Sequence, residues 1–185
     1  MNKFASATLL LGLMLLLGGC SSITGSSGYG TRTDYAIAQD TETARALWDR
    51  IRDSEAFDNA HINVDVYNGL TLLTGQVPEE RLKQIADELA ANTQGVRHLR
   101  NELTVGPNTS TQRRLRDTWI TARIKTRLAA GGRLDPDRVR IMTENATVYL
   151  MGLVRPAEAE YLVNLASDTG GVEGIVRVFQ YIDQA

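Results

Sequence analysis

Residues 113–130 read RRLRDTWITARIKTRLAA, five Arg and one Lys against a single Asp, with one of the two Trp in the chain. A guanidinium offers phosphate and carboxylate oxygens a planar fork of N–H donors, and an indole settles where an apolar phase meets water. At 100° per residue, Ile120, Ile124, Leu128 and Asp117 lie within about 80° of one another, which predicts one helix with a buried stripe. Trp119 lies about 100° to one side of Ile120, and Arg116, Arg123 and Arg127 fill the arc between them. Arg113, Arg116, Trp119, Arg123 and Arg127 are therefore the candidate residues for holding an anionic ligand.

The other residue with chemistry of its own is Cys20, the only cysteine, so no intramolecular disulfide is expected. Lys3 precedes the apolar run TLLLGLMLLL, and small residues lead to the cysteine as LGGC. The run is about half of the ~20 residues needed to span a bilayer, which predicts a cleaved signal peptide over residues 1–19 rather than a membrane helix. The leader resembles those of bacterial lipoproteins. That resemblance implies acyl chains, palmitate among them, on Cys20, and Ser21 after it implies passage to the outer membrane. The mature chain would then face the periplasm, lipid-anchored.

No motif for catalysis accompanies these residues. His61 and His98 are the only histidines, both in expected strands of the first half with no counterpart in the second. Surface or half-buried strand positions account for them. There is no H-E-x-x-H or G-x-S-x-G pattern, and Glu79 and Glu80 open a helix, where they complement its dipole. No enzyme, no metal and no cofactor beyond the acyl chains is expected. A formal charge of −2 shows that the chain as a whole is not a polycation.

The elements that must position the basic helix come in duplicate. With a shift of 77 residues, Asn68, Leu73, Gly75 and Val77 fall on Asn145, Leu150, Gly152 and Val154. At the same shift Leu47 and Ile51 fall on Ile124 and Leu128. Each copy predicts a helix, a hairpin, a second helix beginning at Pro78 or Pro156, and a last strand: an αββαβ module of the α+β class. The first hairpin turns on Asn68-Gly69; the second has Asn145-Ala146, which predicts a longer or more strained turn. The expected plan is a signal peptide at 1–19, an acylated Cys and flexible Ser/Gly-rich tether at 20–40, module 1 at 41–106, a linker at 107–112 and module 2 at 113–183. Leu70, Leu72, Tyr149 and Met151 lie on the strand faces away from Leu73 and Leu150. They are candidates for burial between the modules, or alternatively under the first helices.

The pattern resembles the BON domain. Ile124 and Leu128, TVYLMGLV with Gly152, and Gly171-Val172 carry the resemblance in the second copy; Leu47, Ile51, TLLTGQV with Gly75, and Gly95-Val96 carry it in the first. It covers residues 41–105 and 113–182. A lipoprotein with two such modules implies a non-enzymatic role in outer-membrane integrity, linked to envelope stress and cell division. It also implies anionic phospholipid binding by the first helix of the second module.

The repeat sharpens what the basic helix could be. Its counterpart over residues 41–57 has three Arg against four acidic residues, so the two copies differ by six charges. Three readings compete: a solvated helix with snorkelling side chains, a nucleic-acid surface that an exported protein would rarely use, and an interfacial helix on an anionic membrane. Phosphatidylglycerol and cardiolipin are the expected partners on the third reading, with a protein partner for module 1 and no nucleic acid. A periplasmic holdase or protein-interaction module is the alternative from a different functional class.

Overall fold

A computed structural model of the chain describes residues 30–182. The expected signal peptide, Cys20 and the first part of the tether lie outside the described residues. The elements run α1 (Asp34–Arg52), β1 (His61–Tyr67), β2 (Leu70–Val77), α2 (Glu80–Ala91), β3 (His98–Val105), α3 (Thr111–Gly131), β4 (Val139–Glu144), β5 (Thr147–Val154), α4 (Pro156–Ser167) and β6 (Gly174–Tyr181). The fold is α+β, two αββαβ modules. In each, the middle strand pairs antiparallel with the first and parallel with the third, in the orders β1-β2-β3 and β4-β5-β6.

Three helix starts differ from the sequence expectation. α1 begins at Asp34, inside the stretch expected to be tether, because Thr33 caps it through a hydrogen bond from the Ala36 N–H at 3.1 Å. The extra turns bring Asp40 to the hairpin turn, where its carboxylate accepts the N–H groups of Asn68 at 2.6 Å and Gly69 at 2.8 Å. α3 likewise begins inside the expected linker, at Thr111, with Ser110 as its cap. α2 starts at Glu80 rather than Pro78, since Glu79 is still extended at φ −149°. α4 does start at Pro156.

The Asp40 arrangement recurs one repeat later. Asp117 accepts the N–H groups of Asn145 at 2.8 Å and Ala146 at 2.9 Å. Both turns contain two residues, so the second is no longer than the first, but it does place a side chain where the first has glycine. Gly69 has φ 73° and Ala146 φ 62°. A left-handed conformation costs a non-glycine residue roughly 1–2 kcal/mol, and the charge-assisted bonds from Asp117 offset it.

Each module has its own core on the helix side of its sheet. Leu47 and Ile51 of α1 meet Leu73 and Val77 of β2 and Leu82 and Ala86 of α2. In module 2, Ile120, Ile124 and Leu128 of α3 meet Leu150, Val154 and Leu162. A third cluster joins the opposite sheet faces, with Tyr67 and Leu72 from module 1 packed among Tyr149, Met151 and Val178 from module 2 and Leu70 at its margin. The outward strand residues are thus buried between the modules rather than beneath the first helices. Full burial of an aliphatic side chain such as Leu72 or Met151 contributes about 1.5–3 kcal/mol.

Polar groups frame this seam. Glu144, only 8% exposed, accepts hydrogen bonds from Gln76 Nε2 (2.8 Å), Asn63 Nδ2 (3.1 Å) and Thr109 Oγ1 (3.2 Å). Tyr67 donates its hydroxyl to the Arg138 carbonyl at 2.6 Å, and Asn68 Nδ2 donates to Gln180 Oε1 at 2.7 Å. Arg32 lies 3.9 Å from the centroid of the Tyr67 ring and pairs with Asp40 at 2.7 Å, so the N-terminal segment is docked beside the seam.

Two stability experiments follow from this arrangement. Replacing Ala146 with Gly should relieve the left-handed strain and raise unfolding stability by about 0.5–1 kcal/mol, read as a shift of the urea midpoint at constant slope. Burial, with the charges of Glu102 and Glu144 adding to it, pushes the Tyr149 hydroxyl up from 10.0 to about 12. A raised folded-state value contributes stability that is full below the unfolded value and is lost as pH rises through the folded one. Stability should therefore fall between about pH 10 and 12, and Tyr149→Phe should shrink that loss while leaving part of it to Tyr67, whose hydroxyl is also raised by burial.

Candidate functional site on the basic helix

Three constraints hold α3 in one orientation. Ile120, Ile124 and Leu128 are buried against the module 2 sheet, and Asp117 is tied to the hairpin turn. Thr121 Oγ1 and Thr143 Oγ1 lie 2.8 Å apart, a hydroxyl pair that joins the helix to β4. Gly132, left-handed at φ 61°, stops the helix.

With that stripe buried, the opposite side of α3 is turned outward. Leu115 is 67% exposed and Trp119 50% exposed, and at i, i+4 they are neighbours on one ridge. Arg123 lies a further four residues on, its guanidinium 5.0 Å from the Trp119 ring centroid. Leu115 and Trp119 therefore form an exposed apolar ridge with a cation stacked on its indole.

The five residues singled out in the sequence divide by what they touch. Arg116, Trp119 and Arg123 share the outward flank, with Arg116 exposed beside the backbone at Gly171. Arg113 donates to Asn145 Oδ1 at 2.8 Å, which commits it to the second hairpin turn. Arg127 is committed more deeply. It donates to the Leu165 carbonyl and to Thr169 Oγ1, both at 3.0 Å, and lies 4.0 Å from the Asp168 carboxylate. Its cation therefore sits at the C-terminal end of α4, where the helix carbonyls carry partial negative charge. Arg127 staples two helices together, a role that spacing on its own helix cannot reveal.

Leu115 was not among the sequence candidates. About 140° from Ile120 and flanked by arginines, it reads as an ordinary surface leucine, and its only signal was the four-residue spacing to Trp119. Arg114 and Lys125 lie on the other flank of α3, facing module 1, and neither makes an ion pair among the described residues. No group of three or more His, Cys, Asp or Glu side chains that could hold a metal ion occurs among the described residues. His61 is half-buried, its Nε2 3.8 Å from Glu144, and His98 is exposed at the start of β3. No helix among the described residues is long and apolar enough to cross a membrane.

Comparison with known proteins places this geometry in a family. The BON domain model matches residues 39–107 and 116–183. The chain is 30% identical to the outer membrane lipoprotein DolP of Haemophilus influenzae, over 99% of both chains. It is 32% identical to a 21 kDa hemolysin of Actinobacillus pleuropneumoniae, over 83% of this chain and 77% of that one. An uncharacterised protein of Anaplasma centrale is also 32% identical, over 65% of this chain and 80% of its own. Two matches to one domain model, each falling on one αββαβ unit, show that the chain belongs to the BON-domain family.

Proposed function

We propose that this protein is a non-enzymatic outer-membrane lipoprotein, acylated on Cys20 and facing the periplasm, whose second module reads anionic phospholipid through α3. Whole-length similarity to an outer membrane lipoprotein supports the location. The observation that carries the lipid reading is the exposed Leu115–Trp119 ridge with Arg116 and Arg123 along its flank. Leucine and tryptophan enter the interface between headgroups and acyl chains, while the arginines meet lipid phosphates. Each arginine near an anionic surface contributes about 1 kcal/mol, so these two give roughly 2 kcal/mol, about a thirtyfold preference over neutral lipid.

Acyl chains on Cys20 would make attachment by α3 unnecessary, so the helix would instead select where on the membrane the protein dwells. About ten residues separate Cys20 from Gly30, a reach of at most about 35 Å. Docking of Arg32 on Tyr67 holds the inner end of that tether against the fold. Patches rich in phosphatidylglycerol or cardiolipin are the preferred sites on this reading. Enrichment of such lipid at the division site would concentrate the protein there and link it to envelope integrity.

Flotation of residues 21–185, which lack acyl chains, with vesicles of phosphatidylglycerol or phosphatidylcholine tests the proposal. Recovery should favour the anionic vesicles about thirtyfold and fall with added salt. Trp119→Ala with Arg123→Glu should abolish binding and change stability by no more than about 0.5 kcal/mol. Arg127→Ala should instead destabilise the fold by about 1–2 kcal/mol through the lost bonds to α4. Equal recovery on both vesicle types would overturn lipid selection. Binding of unfolded outer-membrane proteins that ignores Trp119 and Arg123 would point to the holdase reading.

A further inference from the structure

A groove of about 620 Å³ runs between α3 and module 1, on the flank of the helix away from Arg116 and Arg123. The pattern of its lining shows which parts of the strands face it. From β4, five consecutive residues, 140–144, line the groove. Successive side chains of a strand point to opposite faces, so a groove touching all of them runs along the strand's edge. From β1 only the alternate residues His61, Asn63 and Asp65 contribute, so module 1 presents a sheet face as one wall. From α3, Arg114, Thr118 and Lys125 lie on one side of the helix and form the other wall.

The floor of the groove is therefore an unpaired strand edge. β4 pairs with β5 from Val139–Gly152 to Glu144–Thr147, and no strand lies on its other side among the described residues. Such an edge offers a row of N–H and C=O groups to any extended chain that fits beside it. The fit is defined in length: β4 spans about 20 Å at 3.4 Å per residue, and Arg114 and Lys125 stand about 16 Å apart along the helix axis. Both dimensions suit five or six extended residues.

Charge selects the occupant. The acidic groups around the groove are already satisfied: Asp65 pairs with Arg140 at 2.7 Å, Glu144 accepts three hydrogen bonds, and Asp117 holds the β4–β5 turn. Arg114 and Lys125 make no ion pair among the described residues, which leaves two exposed cations without a salt-bridge partner at the ends of the helical wall, whereas Asp117 and Glu144 are withdrawn from solvent at 4% and 8% exposure. The observed N-terminal residues cannot satisfy them, because the segment is docked through Arg32 on Tyr67, and residues 21–29 carry no charge. We propose that the groove is a docking site for an extended acidic segment of a partner protein, which adds as a strand to the outer edge of β4 with carboxylates on Arg114 and Lys125. The site exists only where the two modules meet, and it leaves the Leu115–Trp119 ridge free, so a partner and a membrane can be held at once.

The probe is the blocked peptide Ac-Glu-Thr-Val-Thr-Glu-Thr-NH2, titrated into the 15N-labelled mature chain, residues 20–185, with zwitterionic nanodiscs. Its two Glu lie four residues apart, about 13 Å, on the side facing α3. Amide shifts confined to residues 140–144 and the facing parts of α3 and β1 are expected. Lys125→Glu and Arg114→Glu should each weaken binding about tenfold and favour the peptide carrying Lys in place of Glu. That swap separates lost charge from lost fold. Trp119→Ala with Arg123→Glu should leave peptide binding intact, so failure here and failure of the lipid reading are distinguishable. Several outcomes overturn the proposal: no saturable shift at residues 140–144, equal binding by a peptide with Pro replacing Val, or shifts there from phosphatidylglycerol nanodiscs but not from peptide.

Discussion

Each module contains a three-stranded sheet that is apolar on both faces and only enough helix to cover one. Leu73 and Val77 point to α1 and α2, while Leu72 on the same strand points away from them. Left in water, the second faces would expose Tyr67 and Leu72 on module 1 and Tyr149, Met151 and Val178 on module 2, apolar patches that a small domain gains by covering. Pairing the two modules face to face removes both patches at once. The seam, the groove and the docked N-terminal segment all depend on that burial.

Duplication supplied the parts, and divergence gave them separate uses. Asp40 and Asp117, one repeat apart, both close a left-handed hairpin turn with two charge-assisted bonds. Tyr67 and Glu144 are also repeat partners and both sit at the seam, one with a donated hydroxyl and the other as an accepting carboxylate. A buried carboxylate is costly unless its oxygens are filled, and the three donors on Glu144 come from module 1 and the linker. This fixes which face of one module meets which face of the other, where apolar contact alone would tolerate sliding. The first helices diverged furthest: α3 gained the net positive charge and the outward Leu115–Trp119 ridge, whereas the exposed Trp48 of α1 has Arg52 stacked on it, and Arg52 in turn pairs with Asp49 and Asp53.

Much of the fold was legible because it rests on local periodicity. The helical stripes of Ile120, Ile124 and Leu128 or Leu82 and Ala86, the alternating strands and the Asn-Gly turn are each set by spacings of a few residues. The repeat then revealed the second turn's equivalence, though not its equal length, which depends on Asp117 holding Ala146 in a conformation that alanine disfavours. Helix starts were less legible. Thr33 and Ser110 are capping residues in stretches whose polar composition otherwise reads as linker.

For the candidate site, sequence alone determined the charge of α3, its buried stripe and the flank shared by Arg116, Trp119 and Arg123, because one helix's angular geometry contains all three. Tertiary structure decided which cations remain free. Arg127 and Arg113 are drawn off by the end of α4 and by Asn145, groups 38 and 32 residues away in the chain. It also brought Arg114 and Lys125 to the rim of a groove whose far wall belongs to the other module. Helical spacing fixes a side chain's direction from its own axis, but what it meets there is set by the neighbours that packing brings up.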